Sequence, residues 1–274
     1  MNKGFLVIAQ NSDVNYLRQA YALALSIKAT QPTYNKISVV TDNVVPEEYQ
    51  WAFDKIIPIP FGDSAKDSEW KVENRWKLYH ASPYEETIVF DTDMLVLTNL
   101  ENVWKYVNGK NLFFTSHVKD YKYRTVVDTT YRKTFIENEL PNLYSGMFYF
   151  KKSDQSLEFF KLVEFITYNW ERMYFEVTPK QMQKFYSFDV TVSIAAKLLG
   201  IDDEIINANS PFTFVHLKPA IQGWDPVPAS YLTQTIINFN DHKELYLNNF
   251  RQYGVVHYVE DEFLTDKILE KLNV

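Results

Sequence analysis

The chain has 274 residues, 46% of them hydrophobic and 16% aromatic, enough apolar material for a large folded core and too much for a disordered chain. A formal charge of −7 argues against a chain built to lie along nucleic acid, and the absence of cysteine rules out disulfides and thiolate metal sites. No run approaches 18 uninterrupted apolar residues, and the apolar N-terminal stretch is too short for a secretion signal, so the expectation is a soluble, cytoplasmic protein with no membrane partner.

In chain order, Phe5 to Ala9 reads as a strand buried on both faces. A polar turn, Gln10-Asn11-Ser12-Asp13, leads into a helix marked by Leu17, Ala20, Tyr21, Ala24 and Ile27. Ile37 to Thr41 is a second strand, followed by Asp42. Pro46 opens a short helix through Trp51, and Ile56 to Ile59 reads as an edge strand because Pro58 removes a ladder donor. Glu69 to Ala81 reads as a helix, and Thr87 to Phe90 as a fourth strand that delivers Asp91-Thr92-Asp93. This alternation predicts an α/β fold with a mostly parallel sheet. Right-handed crossovers would bring Asn11, Asp13, Thr41, Asp42, Asp91 and Asp93 to the carboxyl edge, where open α/β sheets bind ligands.

The second half predicts strands at Asn111 to Ser116 and Tyr144 to Lys151, and a helix over 154–175. A further helix starts at Thr178-Pro179 and runs to Leu199, before Gly200. Phe212 to Leu217 and Gly254 to Tyr258 are short strands, each carrying a histidine, and Glu262 to Leu272 closes the chain as a helix. No repeat or linker divides the sequence, which suggests one unit with two halves meeting near residue 110.

Alternate residues on an extended chain share a side, so Asp91 and Asp93 can aim at one point. Two carboxylates so close repel unless a proton or cation lies between them. A hard divalent cation is one answer; a strand end and a turn cap would explain an isolated pair equally well. A phosphatase of the haloacid-dehalogenase type, with the first Asp as nucleophile, is a further alternative. Its motif belongs on the first strand, whereas three strand candidates precede this one.

The stretch Asn74 to Val96 resembles the glycogenin-like family 8 glycosyltransferases of the GT-A fold: a cationic helix, the tyrosine Tyr84, then a strand ending Asp91-Thr92-Asp93-Met94-Leu95-Val96. Ala9-Gln10-Asn11-Ser12-Asp13 with Tyr16 looks like the family's loop for the nucleotide base. Tyr144-Ser145-Gly146-Met147-Phe148 resembles its sugar-facing strand, with Tyr144 where the family has asparagine. Phe188-Asp189-Val190 stands at the family's G-D-Q, keeping only the aspartate.

The resemblance implies a nucleotide-sugar donor, a UDP-sugar with retention of configuration, and Mn2+ or Mg2+ as cofactor. It implies that Thr41, Asp42, Thr92, Ser145 and Gly146 belong to the donor site with the base loop. Arg75, sixteen positions before Asp91, falls where the family places a cation on the donor, with Lys77 as near alternative. Asp189 and Arg75 would act in catalysis. The third metal ligand is expected at His257, with His216 as alternative, because the family's H-F-x-G-x-x-K-P-W is matched only in part at each. Lys218 and Trp224 would line the acceptor site or simply pack in a loop. Residues 1–110 would form the nucleotide-sugar-binding half and 111–274 the acceptor-binding half of one GT-A domain.

A catalytically silent nucleotide-sugar-binding protein stays open at this point, as does the acceptor: glycan, protein, lipid-linked sugar or a modified DNA base. The one basic stretch suited to nucleic acid is Lys119, Lys122, Arg124, Arg132 and Lys133, interleaved with Tyr121, Tyr123 and Tyr131, and a solvated loop is the preferred reading of it. His80, His117 and His242 read as structural or surface residues.

Overall fold

The structure is a computed structural model that describes residues 2–68, 71–126, 132–180, 185–206, 213–217 and 230–273. Thirteen strands are seen among them: β1 (Lys3–Ile8), β2 (Ile37–Val40), β3 (Lys55–Ile57), β4 (Glu86–Phe90), β5 (Met94–Val96), β6 (Leu112–Thr115), β7 (Val118–Lys119), β8 (Tyr144–Lys151), β9 (Phe214–His216), β10 (Ile237–Phe239), β11 (Leu245–Leu247), β12 (Phe250–Gln252) and β13 (Val255–His257).

Six of them form the central sheet, in the order β3-β2-β1-β4-β8-β6. The first four are parallel, as the strand–helix alternation predicts, and β8 runs antiparallel to both β4 and β6. Side chains alternate between two cores. Phe5, Val7, Ile88, Phe90 and Tyr149 face one, while Leu6, Val89, Phe148 and Phe150 face the other. Burial on both faces is why these strands read as continuous apolar runs. The predicted edge strand is β3, which ends before Pro58.

A second sheet, β5-β13-β9-β7, lies beyond the carboxyl end of β4. The chain leaves the central sheet at Phe90, crosses through Asp91-Thr92-Asp93 and enters the second sheet at Met94. This crossing is pinned on both sides. The Asp91 N–H donates to the Gly146 carbonyl at 2.9 Å, and the Tyr258 N–H donates to the Asp93 carbonyl at 3.0 Å. A third, antiparallel sheet, β10-β11-β12, comes from a region in which the sequence offered no strands.

Three helix predictions need correction. Glu69 to Ala81 is not one α-helix: within the described part, Val72–Lys77 is a 3-10 turn and only Leu78–Ala81 is α-helical. The reason is tertiary. Lys71 takes a left-handed φ of 56°, and the Asn74 and Lys77 side chains bind the preceding loop at Ser64. The expected helix over 154–175 divides at Asn169 into Asp154–Tyr168 and Trp170–Val177. The helix expected from Thr178 begins at Phe188 instead. The Thr178 hydroxyl closes the preceding helix on the Tyr174 carbonyl, and Ser187 supplies the N-cap by accepting from the Val190 N–H. At the end of the chain, Thr265 caps a helix over Asp266–Leu272.

Candidate active site

Two features set the site. β5 pairs antiparallel with β13, and His257 is the register partner of Met94, the residue after Asp93. The histidine near the C-terminus is thus brought beside the aspartate pair by strand pairing. On the other side, β8 carries Ser145 and Gly146 past Asp91. Its register with β6 shifts between Phe114 and Thr115, a bulge that frees this stretch from regular pairing.

Asp91, Asp93 and His257 each offer a ligand atom, all within 4.8 Å of one another. His257 Nε2 lies 2.9 Å from Asp93 Oδ2. Arg75 Nη2 lies 2.5 Å from Asp91 Oδ1, and its Nη1 donates to Ser145 Oγ at 3.2 Å. The two carboxylates therefore have different neighbours. Burial pushes the Asp91 carboxyl up, against the pull of Arg75. Burial also opposes ionisation of Asp93, but the charge and hydrogen bond of His257, a backbone hydrogen bond and the charge of Arg75 together hold Asp93 below the usual carboxylate range. In return Asp93 holds the His257 ring above the ordinary imidazole value, although burial works the other way.

The residues present suit a divalent cation. Two carboxylates and an imidazole form a mixed oxygen and nitrogen donor set. Gly146 keeps the space beside them open: a Cβ there would lie 2.7 Å from Met94 Cε, 3.2 Å from Asp91 Oδ2 and 3.6 Å from His257 Nδ1.

A cavity of about 380 Å³ opens over this cluster and is lined by Gln10, Tyr16, Arg75, Asp91, Thr92 and Asp93, together with His257. Burial, and then nearby Asp93, raise the Tyr16 phenol, which stays protonated in the cavity wall. A smaller cavity of about 210 Å³ shares Arg75, Asp91 and His257, and adds Ser145, Gly146, Asp189 and His216. The His216 ring centroid lies 4.5 Å from that of His257, its register partner on β9. His216 contributes to the smaller cavity and is not among the three clustered ligand residues.

Other expected residues line neither cavity. Ala9 is fully buried, and its N–H donates to Val40. Asn11 accepts from the Leu17 N–H and so helps start the first helix, while Asp13 is exposed. Thr41 and Asp42 fix the turns at Asn43 and Ile59 by accepting backbone N–H bonds. Lys77 points away and binds Gly62 and Ser64. Lys218 and Trp224 lie outside the described residues.

Several lining residues were not anticipated. Thr92 donates to Gln19 at 2.8 Å, and Gln19 donates on to Asp261 at 3.1 Å, so the middle residue of the aspartate pair is fixed by the first helix. Gln19 follows Tyr16 by one helical turn, a signal available in the sequence. Arg132 lines the smaller cavity, buried rather than solvated, unlike the loop reading of the basic stretch. Val259 borders both cavities with a φ of 66°, a left-handed conformation that β-branched residues rarely adopt.

The mostly parallel central sheet, the aspartate pair crossing into a second sheet and the histidine strand returning beside it make a fold similar to the GT-A fold of solved glycosyltransferases. The crystal structure of the galactosyltransferase LgtC with donor and acceptor sugar analogs is similar over 98% of this chain and 95% of that one, with TM-score 0.56 and 16% identity. A structure of an LgtC active-site mutant gives TM-score 0.57 at 15% identity over the same shares. Mouse xyloside xylosyltransferase 1 is a more distant likeness, with TM-score 0.45 and 10% identity over 79% of this chain and 85% of that one. No protein-family model and no curated protein matches the sequence. Among the described residues no helix is long and apolar enough to cross a membrane.

Proposed function

We propose that this chain is a metal-dependent glycosyltransferase of the glycogenin-like family 8 type. It would move a sugar from a nucleotide-sugar donor, a UDP-sugar, to a glycan or protein acceptor with retention of configuration. The observation that carries this reading is the clustering of Asp91, Asp93 and His257 ligand atoms within 4.8 Å, on the floor of a cavity that also holds Arg75. Mn2+ or Mg2+ held by these three residues would supply positive charge to the donor's diphosphate.

The chain's own groups divide the remaining work. Tyr16 and Gln10, which line the larger cavity, suit the nucleotide base. Arg75 stands between the two cavities and adds a fixed positive charge where the leaving phosphate develops negative charge. Ser145, Gly146 and Asp189 suit the transferred sugar in the smaller cavity. On this reading residues 1–110 supply most of the nucleotide contacts, and residues 111–274 supply the sugar and acceptor side.

Hydrolysis of a panel of nucleotide sugars, with and without Mn2+, tests the proposal. One donor is expected to turn over only with metal, and Asp93→Asn should slow that turnover by at least about 100-fold with the circular dichroism spectrum unchanged. Full activity in Asp93→Asn would overturn the metal assignment. Donor binding without any turnover would make the protein a silent binder instead.

A further inference from the structure

Arg132 closes the back of the smaller cavity. Its guanidinium carbon lies 3.4 Å from the centroid of the Tyr144 ring and 4.7 Å from that of Phe135. Nη1 donates to the Leu143 carbonyl at 3.0 Å, and Nη2 donates to Asp189 Oδ2 at 2.9 Å. The other oxygen of Asp189 accepts twice from one residue: the Ser145 N–H at 2.8 Å and the Ser145 hydroxyl at 2.6 Å. Through Ser145 and Arg75 this network continues to Asp91.

Counting bonds limits what Asp189 can do. A carboxylate offers about four acceptor positions, and three are filled here. Oδ1 is fully used, and Oδ2 keeps one position on a side chain that is still 28% exposed. One free acceptor position matches one hydroxyl. The volume of about 210 Å³ lies below the ~300 Å³ at which pockets for larger ligands begin, so one ring fits better than two.

We infer that Arg132 is a positioning residue that holds Asp189 to accept one hydroxyl of a monosaccharide unit. This rests on the glycosyltransferase reading above. The stacking of Arg132 on Tyr144 gives that tyrosine, which stands at the family's asparagine position, a defined part in the same pocket.

The test compares the native protein with Arg132→Met, Arg132→Lys, Asp189→Asn and the Arg132→Met/Asp189→Asn double variant, using the donor that the panel identifies. Affinity for the nucleoside diphosphate with Mn2+ should stay within about twofold in Arg132→Met, because Arg132 lines only the smaller cavity. Its kcat/KM for donor hydrolysis should fall by at least about 30-fold, with Arg132→Lys intermediate. The double variant should be no slower than the slower single variant, since Arg132 acts through Asp189. If Arg132→Met does not fold, Arg132→Lys carries the comparison, with an expected loss of about 10-fold. Native kcat/KM in the folded Arg132 variant, or additive losses in the double variant, would overturn the assignment while leaving the glycosyltransferase reading intact. A native protein that neither binds nor hydrolyses any nucleotide sugar would overturn that reading and this inference together.

Discussion

Asp91 and Asp93 are two positions apart yet have opposite surroundings: an arginine beside one and an imidazole beside the other. Their consequences for stability differ in sign. Asp93, held low, contributes stability above the ordinary carboxylate range, and this is lost as pH falls through its folded value. His257, held high, contributes stability below its unfolded value, and this is lost as pH rises through its folded value. The contribution of this pair in metal-free protein is therefore greatest between about pH 4 and about pH 6.5. Asp91, pushed up by burial, costs stability as pH climbs through the carboxylate range and partly offsets the gain. Metal binding needs all three groups deprotonated, so it must displace the proton that Asp93 helps His257 keep. Calorimetric titration with Mn2+ at pH 5.5, 7.0 and 8.5 should show affinity rising at each step; equal affinity at all three would count against His257 as a ligand. At this scale the spacing of the aspartates and the position of Arg75 were readable, because both lie in one short stretch of sequence. Gln19 offered only its place one helical turn after Tyr16, and Asp261 and Arg132 offered nothing, because their roles come from partners 242 and 57 residues away.

Among the elements, β13 carries the site's most demanding fit. Gly254, just before it, has a φ of 83°, and a Cβ there would lie 2.1 Å from the Thr213 carbonyl oxygen. Only glycine allows β13 to run this close to the residue that leads into β9. Gly254→Ala should therefore destabilise the protein by about 3 kcal/mol in urea unfolding, combining left-handed strain with overpacking. An unchanged midpoint would show that the close approach is not needed. The inner strands of the central sheet were legible because burial on both faces writes them as apolar runs. The broken helices were not, since what interrupts them is side-chain bonding: Asn74 and Lys77 to a distant loop, and Thr178 back to Tyr174. β5, three residues long, is hidden in the same way, because its partner β13 lies about 160 residues further on.

For the whole molecule, the site is a seam. The central sheet contributes Asp91 through β4 and Ser145 through β8, and the second sheet contributes His257 and His216. Neither sheet alone holds both the carboxylate pair and the imidazole, so forming the cation site depends on the two sheets packing correctly. The strand–helix alternation of the first hundred residues conveyed the parallel half of this arrangement. The return of β9 and β13 beside β5 is long-range, and only the histidines hinted at it. On the proposed function the seam binds a divalent cation and a nucleoside diphosphate as one unit. Thermal unfolding of the native protein with Mn2+ alone, UDP alone and both together tests this. The two together are expected to raise the midpoint by more than the sum of their separate shifts. Purely additive shifts, or no shift with any nucleoside diphosphate and metal, would contradict it.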